Sequence, residues 1–171
     1  MLSLHEKIKG LDLASLGIIS SPIEWRAPDF TLPDLEGRWI SLQSLRGKIV
    51  FINFWATWCE ACCLELPTLK APYEAFGGEA FALLAVNEGE PAAKVTEFCG
   101  THDLSFPVLL DHSKKVGDAY GVWGMPATYI LDRQGFVLGK ATGARDWASA
   151  PAWHLIGELL EIREQTTSAA P

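Results

Sequence analysis

The stretch that decides the fold is residues 48–76, KIVFINFWATWCEACCLELPTLKAPYEAF. Its opening, Lys48 to Trp55, is a continuous run of Ile, Val and aromatic residues interrupted only by Asn53, as a strand covered on both faces reads. From Glu60 to about Phe76 the spacing of Leu64, Leu66, Leu69, Tyr73 and Phe76 is mostly helical, and Pro67 and Pro72 are expected to kink that helix or end it early. Between strand and helix stands Trp58-Cys59-Glu60-Ala61-Cys62. A CxxC at a helix start beside a βαβ pattern reads as a dithiol redox centre. The two intervening residues let the second thiol face the first across one helical turn, and the amide donors and positive end of the helix favour a thiolate at Cys59. Cys59 is therefore expected to be the nucleophile and Cys62 the resolving thiol. The competing reading, buried structural cysteines or half of a metal site, lacks a companion Cys/His pair.

Outward from this stretch, Asp29 to Leu32 and Arg38 to Leu42 are short extended candidates around the turn at 33–37, and Ser41 to Leu45 closes as one helical turn. Downstream, Ala80 to Val86 predicts a second buried strand and Pro91 starts a helix that Gly100 should stop near Cys99. Phe106 to Leu110 reads as a strand and Ser113 to Tyr120 as a short helix. Ala127 to Leu131 and Phe136 to Ala141 form a hairpin around Asp132-Arg133-Gln134-Gly135, and Trp147 to Ile162 a closing helix. Strands alternating with helices imply an α/β class with a mixed sheet covered on both sides. Residues 1–24 read as an amphipathic extension and linker, 25–164 as the domain and 165–171 as a flexible tail.

The chain has 171 residues, 49% hydrophobic and 20% charged, enough to bury one core without metals or disulfides to hold it. A net charge of -7 leaves no electrostatic footprint for nucleic acid or anionic lipid. No window reaches the roughly 18 apolar residues of a membrane span, and His5, Glu6, Lys7, Lys9 and Asp12 break every apolar run near the amino terminus. That pattern is equally compatible with an anchor or signal lying upstream. Three of the four cysteines fall between Cys59 and Cys63, which is no disulfide framework, and Cys99 stands apart as a core residue. Phosphate-loop, HExxH and calcium-loop spacings are absent, so no cofactor and no resident metal are expected.

The stretches FWATWCEAC at 54–62 and GMPATYILD at 124–132, joined in order by APDFTLPDLEG, LLAVNEGE and FPVLLD, resemble the thioredoxin superfamily and its bacterial TlpA/ResA-like thiol-disulfide oxidoreductases over about 27–163. The resemblance implies a thioredoxin-like fold with an N-terminal β extension and a helical insertion around 88–102. It also implies an extracytoplasmic or periplasmic enzyme, although the residues alone are compatible with the cytoplasm as well. Such an enzyme keeps partner cysteines reduced, often those of apocytochrome c before haem attachment. A cysteine-containing protein substrate, an upstream electron-donor thiol protein and a monomeric state follow as expectations.

Residue by residue, the resemblance puts Trp55 and Trp58 beside the dithiol, Pro126 after Met125 as a cis-proline facing it, and Thr128 in its usual place. Trp123, immediately before Gly124-Met125-Pro126, is the substrate-facing aromatic. Glu65 coincides with an acidic residue associated with tuning the thiol pKa or relaying a proton. Asn53 stands where classical thioredoxins carry a buried Asp, so Glu65 or Glu88 must supply any relay. Two departures stand out: Ala61 replaces a common proline, and Cys63 a common Lys or Arg, with Cys63 expected to pack as a small hydrophobe. Two other functions remain open. APDFTLPDLEG and SLRGK also resemble the opening of thiol peroxidases of the peroxiredoxin type, and His102 and His112 could join the cysteines in a copper-binding chaperone.

Overall fold

The computed structural model describes residues 3–162; the tail expected at 165–171 lies outside them. In chain order the elements are α1 (Leu4–Ile8), β1 (Ile19–Ser20), β2 (Thr31–Pro33), β3 (Trp39–Ser41), β4 (Ile49–Trp55) and α2 (Glu60–Phe76). There follow β5 (Phe81–Glu88), α3 (Ala92–Thr101), β6 (Val108–Asp111), α4 (Lys115–Ala119), β7 (Ala127–Leu131), β8 (Val137–Thr142) and α5 (Ala150–Glu161). Short 3-10 turns occupy Ala14–Leu16 and Leu42–Leu45.

Six strands form one mixed sheet in the order β1-β8-β7-β4-β5-β6, and β2 and β3 make a separate hairpin. β4 sits in the middle, parallel to β5 and antiparallel to β7, and every one of its residues is buried. This is the thioredoxin-like α/β arrangement, with an added N-terminal β segment and the helix α3 between β5 and β6. One sheet face presents Phe51, Trp55, Leu83 and Ile130 to Leu66 and Leu69 of α2, Val95 of α3 and Leu155 and Ile156 of α5. The other presents Ile52, Phe54, Leu84, Val86 and Tyr129 to Phe30, Leu32, Leu42 and Tyr120. The continuous apolar run of β4 follows from this two-sided burial.

Three local expectations are corrected. The helix α2 does not end early; it runs from Glu60 to Phe76 with Pro67 and Pro72 inside it. Burial of Leu66, Leu69 and Pro72 against the sheet offsets the hydrogen bonds that each proline removes. Gly100 does not stop α3, which continues to Thr101, and Pro91 is its cap rather than its first residue.

The amino-terminal segment packs against the sheet and its helices. Leu13, Leu16 and Ile18 join the main core cluster. β1 pairs antiparallel with β8, Ile19 opposite Lys140 and Ser20 opposite Gly139. Gly139 permits this approach: a Cβ there would stand 2.8 Å from Ile18 Cγ2 and 3.1 Å from the Ile19 carbonyl oxygen. Lys7, itself buried, completes the attachment with its Nζ 2.5 Å from Asp132 Oδ2 and 2.7 Å from Gln134 Oε1.

Candidate active site

The dithiol lies where β4 hands over to α2. Cys59 is the N-cap of α2, with extended backbone, and its Sγ accepts a hydrogen bond from the Cys62 amide at 3.2 Å. Cys59 and Cys62 are joined as a disulfide with Cα atoms 5.2 Å apart, while Cys63 and Cys99 are free. A capping side chain meets the unsatisfied first amides of a helix, where negative charge is stabilised, so the cap position is itself the thiolate-stabilising position. Cys62 is fully buried and Cys59 nearly so. Flanking them in the sequence, Trp58 and Leu64 are exposed, by 68% and 70%.

The Met125–Pro126 peptide bond is cis. Pairing of Ala127 with Phe54 sets Pro126 level with Trp55 at the dithiol end of β4. Met125 is half-buried, and Trp123 on the approach to it is 97% exposed.

One helical turn beyond Cys62, Glu65 is 1% exposed. Its Oε1 accepts from Asn53 Nδ2 at 2.6 Å and its Oε2 from the Arg145 amide at 2.8 Å. Asn53 Nδ2 also donates to Thr128 Oγ1 at 2.9 Å. One carboxyl thereby ties the dithiol helix to the central strand, the cis-proline strand and the segment before α5. Burial raises the Glu65 pKa, an effect that the hydrogen bonds from Arg145 and Asn53 only partly offset. Glu88 is not in this network: it lies on the opposite sheet face beside Asp111, with Gly117 packed against its carboxyl group.

Cys99 is buried and its thiol is pushed up to about 11 by desolvation, which makes it inert at neutral pH. His102 stacks on Phe98, with ring centroids 3.9 Å apart, and its Nδ1 lies 2.8 Å from the Phe98 carbonyl oxygen. Sequence reasoning passed over Glu90, which is 5% exposed and bonded to Thr57 in the turn before Cys59. The signal available was its position just past a parallel neighbour of β4.

Comparison with known proteins decides the family. A profile described as the AhpC/TSA family matches residues 23–139. A thiol-disulfide oxidoreductase ResA of Geobacillus thermodenitrificans is 44% identical over 117 residues, 68% of this chain and 67% of the relative. The chain belongs to the ResA-like thiol-disulfide oxidoreductases of the thioredoxin superfamily. The ResA of Bacillus subtilis is 41% identical over 68% of this chain and 65% of its own length. Both alignments thus span about two-thirds of the relative. The fold is shared with the solved thiol:disulfide interchange protein of Chlorobium tepidum TLS, with a TM-score of 0.69 and 24% identity over 82% of this chain and 99% of that one. For a ResA-like chain, the pair at Cys59 and Cys62 is the redox-active disulfide, and the activity is thiol-disulfide exchange.

Proposed function

We propose that the protein reduces disulfides of partner proteins outside the cytoplasm, with Cys59 attacking and Cys62 resolving. The observation that carries this reading is the placement of Cys59 Sγ as the cap of α2, on the Cys62 amide. In the reduced enzyme the Cys59 thiolate attacks one sulfur of the partner's disulfide and expels the other as a thiolate. The Cys62 thiolate then attacks the Cys59 sulfur, releasing the partner's second thiolate. The partner has gained two electrons and takes up two protons, and the enzyme holds the Cys59–Cys62 disulfide. An upstream thiol protein returns it to the dithiol by the same exchange in reverse.

Trp58 and Trp123 offer exposed aromatic surface for the partner segment, and Met125 with the cis Pro126 offers a backbone edge for it to pair with. Glu65, buried one helical turn beyond Cys62, tunes the thiols or relays a proton. Residues 25–164 form the catalytic domain, with 1–24 as its extension, and the enzyme works as a monomer without a cofactor. Among the described residues no helix is long and apolar enough to cross a membrane. Apocytochrome c awaiting haem is the partner that the resemblance implies.

A Cys62→Ser variant is expected to trap a mixed disulfide on Cys59 when offered a disulfide-bonded peptide, seen as a stable mass increase that a reductant reverses. No adduct, or an adduct on Cys63, would refute the assignment. Equilibration of the wild type with glutathione sets the direction: a pair much more reducing than glutathione fits a reductase. Peroxide consumption much faster than that of an ordinary thiol would favour the peroxidase reading instead.

A further inference from the structure

Three residues, Ala56, Thr57 and Trp58, connect the end of β4 to the cap position of α2. Connections of this kind usually leave their polar groups to water. Here every polar group of Thr57 is held by protein. Its amide donates to Glu90 Oε2 at 2.8 Å, and its hydroxyl donates to Glu90 Oε1 at 2.5 Å. Its carbonyl oxygen accepts from Cys63 Sγ at 3.5 Å. Glu90 is fixed in turn, with Asn87 Nδ2 donating to Oε2 at 2.7 Å and Lys94 Nζ 3.1 Å from Oε1. Asn87 is the register partner of Trp55, so the sheet itself aligns this anchor with the turn.

We propose that Glu90 is a positioning residue for thiol-disulfide exchange, clamping Thr57 so that Cys59 stays over the amino terminus of α2, and that Cys63 closes the clamp on the Thr57 carbonyl. The inference rests on Cys59 being the attacking thiol. In the oxidised protein the bond to Cys62 restrains Cys59 by itself. Reduction removes that restraint and leaves Cys59 held by its backbone, the amide donating to the Ala56 carbonyl at 3.2 Å and the carbonyl accepting from the Cys63 amide at 3.1 Å, and by the three-residue connection that leads into it. The clamp therefore acts on the reduced enzyme, which is the form that attacks. It also accounts for a cysteine beside the resolving thiol: a small, weakly donating side chain reaches the Thr57 carbonyl without bringing a charge. Burial pushes the Glu90 carboxyl up, but the bonds from Thr57, Asn87 and Lys94 outweigh it and hold the group below its ordinary value. Glu90 is thus an anionic acceptor for both Thr57 donors throughout the neutral range.

Positioning and charge predict opposite signs. A carboxylate near a thiolate raises its pKa, so deleting Glu90 as a mere charge would lower the Cys59 pKa and speed alkylation. Deleting it as a clamp lets the thiolate drift from the helix amides, which raises the pKa and slows attack. The test is the pH profile of alkylation of the reduced protein by iodoacetamide, with peptide mass spectrometry to identify which cysteine reacts first. Glu90→Ala and Thr57→Val are each expected to move the Cys59 midpoint up and slow its alkylation at neutral pH roughly tenfold. Glu90→Gln, which keeps an acceptor for the Thr57 amide, falls between wild type and Glu90→Ala, and Cys63→Ala costs about twofold. Thr57 is half-buried in a turn, so its near-isosteric change decides the matter if Glu90→Ala does not fold. A midpoint that stays or falls in both Glu90→Ala and Thr57→Val, or a Glu90→Gln worse than Glu90→Ala, overturns the clamp. First alkylation at Cys62 instead overturns the underlying choice of nucleophile, and the two failures are distinguishable.

Discussion

A Glu88→Gln variant is expected to outlast the wild type increasingly as the pH rises from 4.5 to about 8, by about 3–5 kcal/mol at the upper end. Glu88 and Asp111 are register partners on β5 and β6, 7% and 1% exposed. Glu88 Oε1 and Asp111 Oδ1 both lie buried without a donor, and the Asp111 Oδ2 accepts from the Gly117 amide at 2.9 Å. A proton kept on Glu88 spares the site a buried charge beside Asp111. Desolvation first, then the charge and hydrogen bond of Asp111, push Glu88 up to about 8, with Asp118 adding to the rise and Lys114 opposing it. The unfolded chain releases the Glu88 proton near 4.5 and the folded one only near 8. Between these values the unfolded state binds fewer protons, so stability falls with rising pH and levels off above 8. Glutamine never ionises and keeps a donor for Asp111. Thermal melts at about pH 5 and about pH 9 should show the gap between variant and wild type widening by roughly 6–20 °C. A gap that is constant across that range would show that Glu88 does not carry a raised pKa in the folded protein.

Glu65→Leu is expected to cost about 3 kcal/mol and to slow disulfide exchange at least tenfold near neutral pH. The substitution fits the volume but leaves the Arg145 amide without its acceptor and Asn53 Nδ2 with Thr128 alone. The stability cost belongs to the network, and the rate loss to the carboxyl's place one turn beyond Cys62. Because burial raises its pKa, Glu65 holds a proton at higher pH than an exposed glutamate does. In the mechanism proposed above it gives that proton to a departing thiolate. The two effects separate in the pH profile of turnover. The variant should lose a limb of the profile that the wild type has, whereas a purely structural role lowers the whole curve evenly. Asn53→Ala, which cuts the network from the strand side, should reproduce the stability loss and keep the limb.

Both carboxyl sites bear on how far this protein can be understood from its residues. The strand–CxxC–helix unit was legible because its signals are local: an apolar run, a pair of thiols at a fixed spacing, a helical period. Glu65 was open to the same reasoning, since it shares a helix face with Cys62, Leu66 and Leu69. Its acceptor role was not, because Asn53, Thr128 and Arg145 come together only through sheet pairing. Glu88 and Glu90 are two residues apart, yet one meets Asp111 across β6 and the other meets Thr57 in the turn after β4. Register decides both, and register is invisible until the strands are laid side by side. The prolines of α2 taught the same lesson in reverse: local chemistry argued for a break, and burial of one helix face against the sheet prevailed. The amino-terminal extension shows the same dependence on pairing: Leu13, Leu16 and Ile18 reach the core once Gly139 lets β1 approach β8.

The attachment of that segment also gives the molecule two poles. Asp132, which holds Lys7, follows Leu131 opposite Val50, whereas Cys59 lies past Trp55 at the other end of the same strand. At a rise of about 3.3 Å per residue, β4 keeps them roughly 20 Å apart. A surface, fluorophore or carrier protein joined ahead of α1 therefore meets the molecule on the side turned away from Trp58 and Trp123. Immobilised by that end, the enzyme presents its thiols to solution, and an electrode or bead coated in this orientation should exchange disulfides with soluble partners as freely as the dissolved protein does.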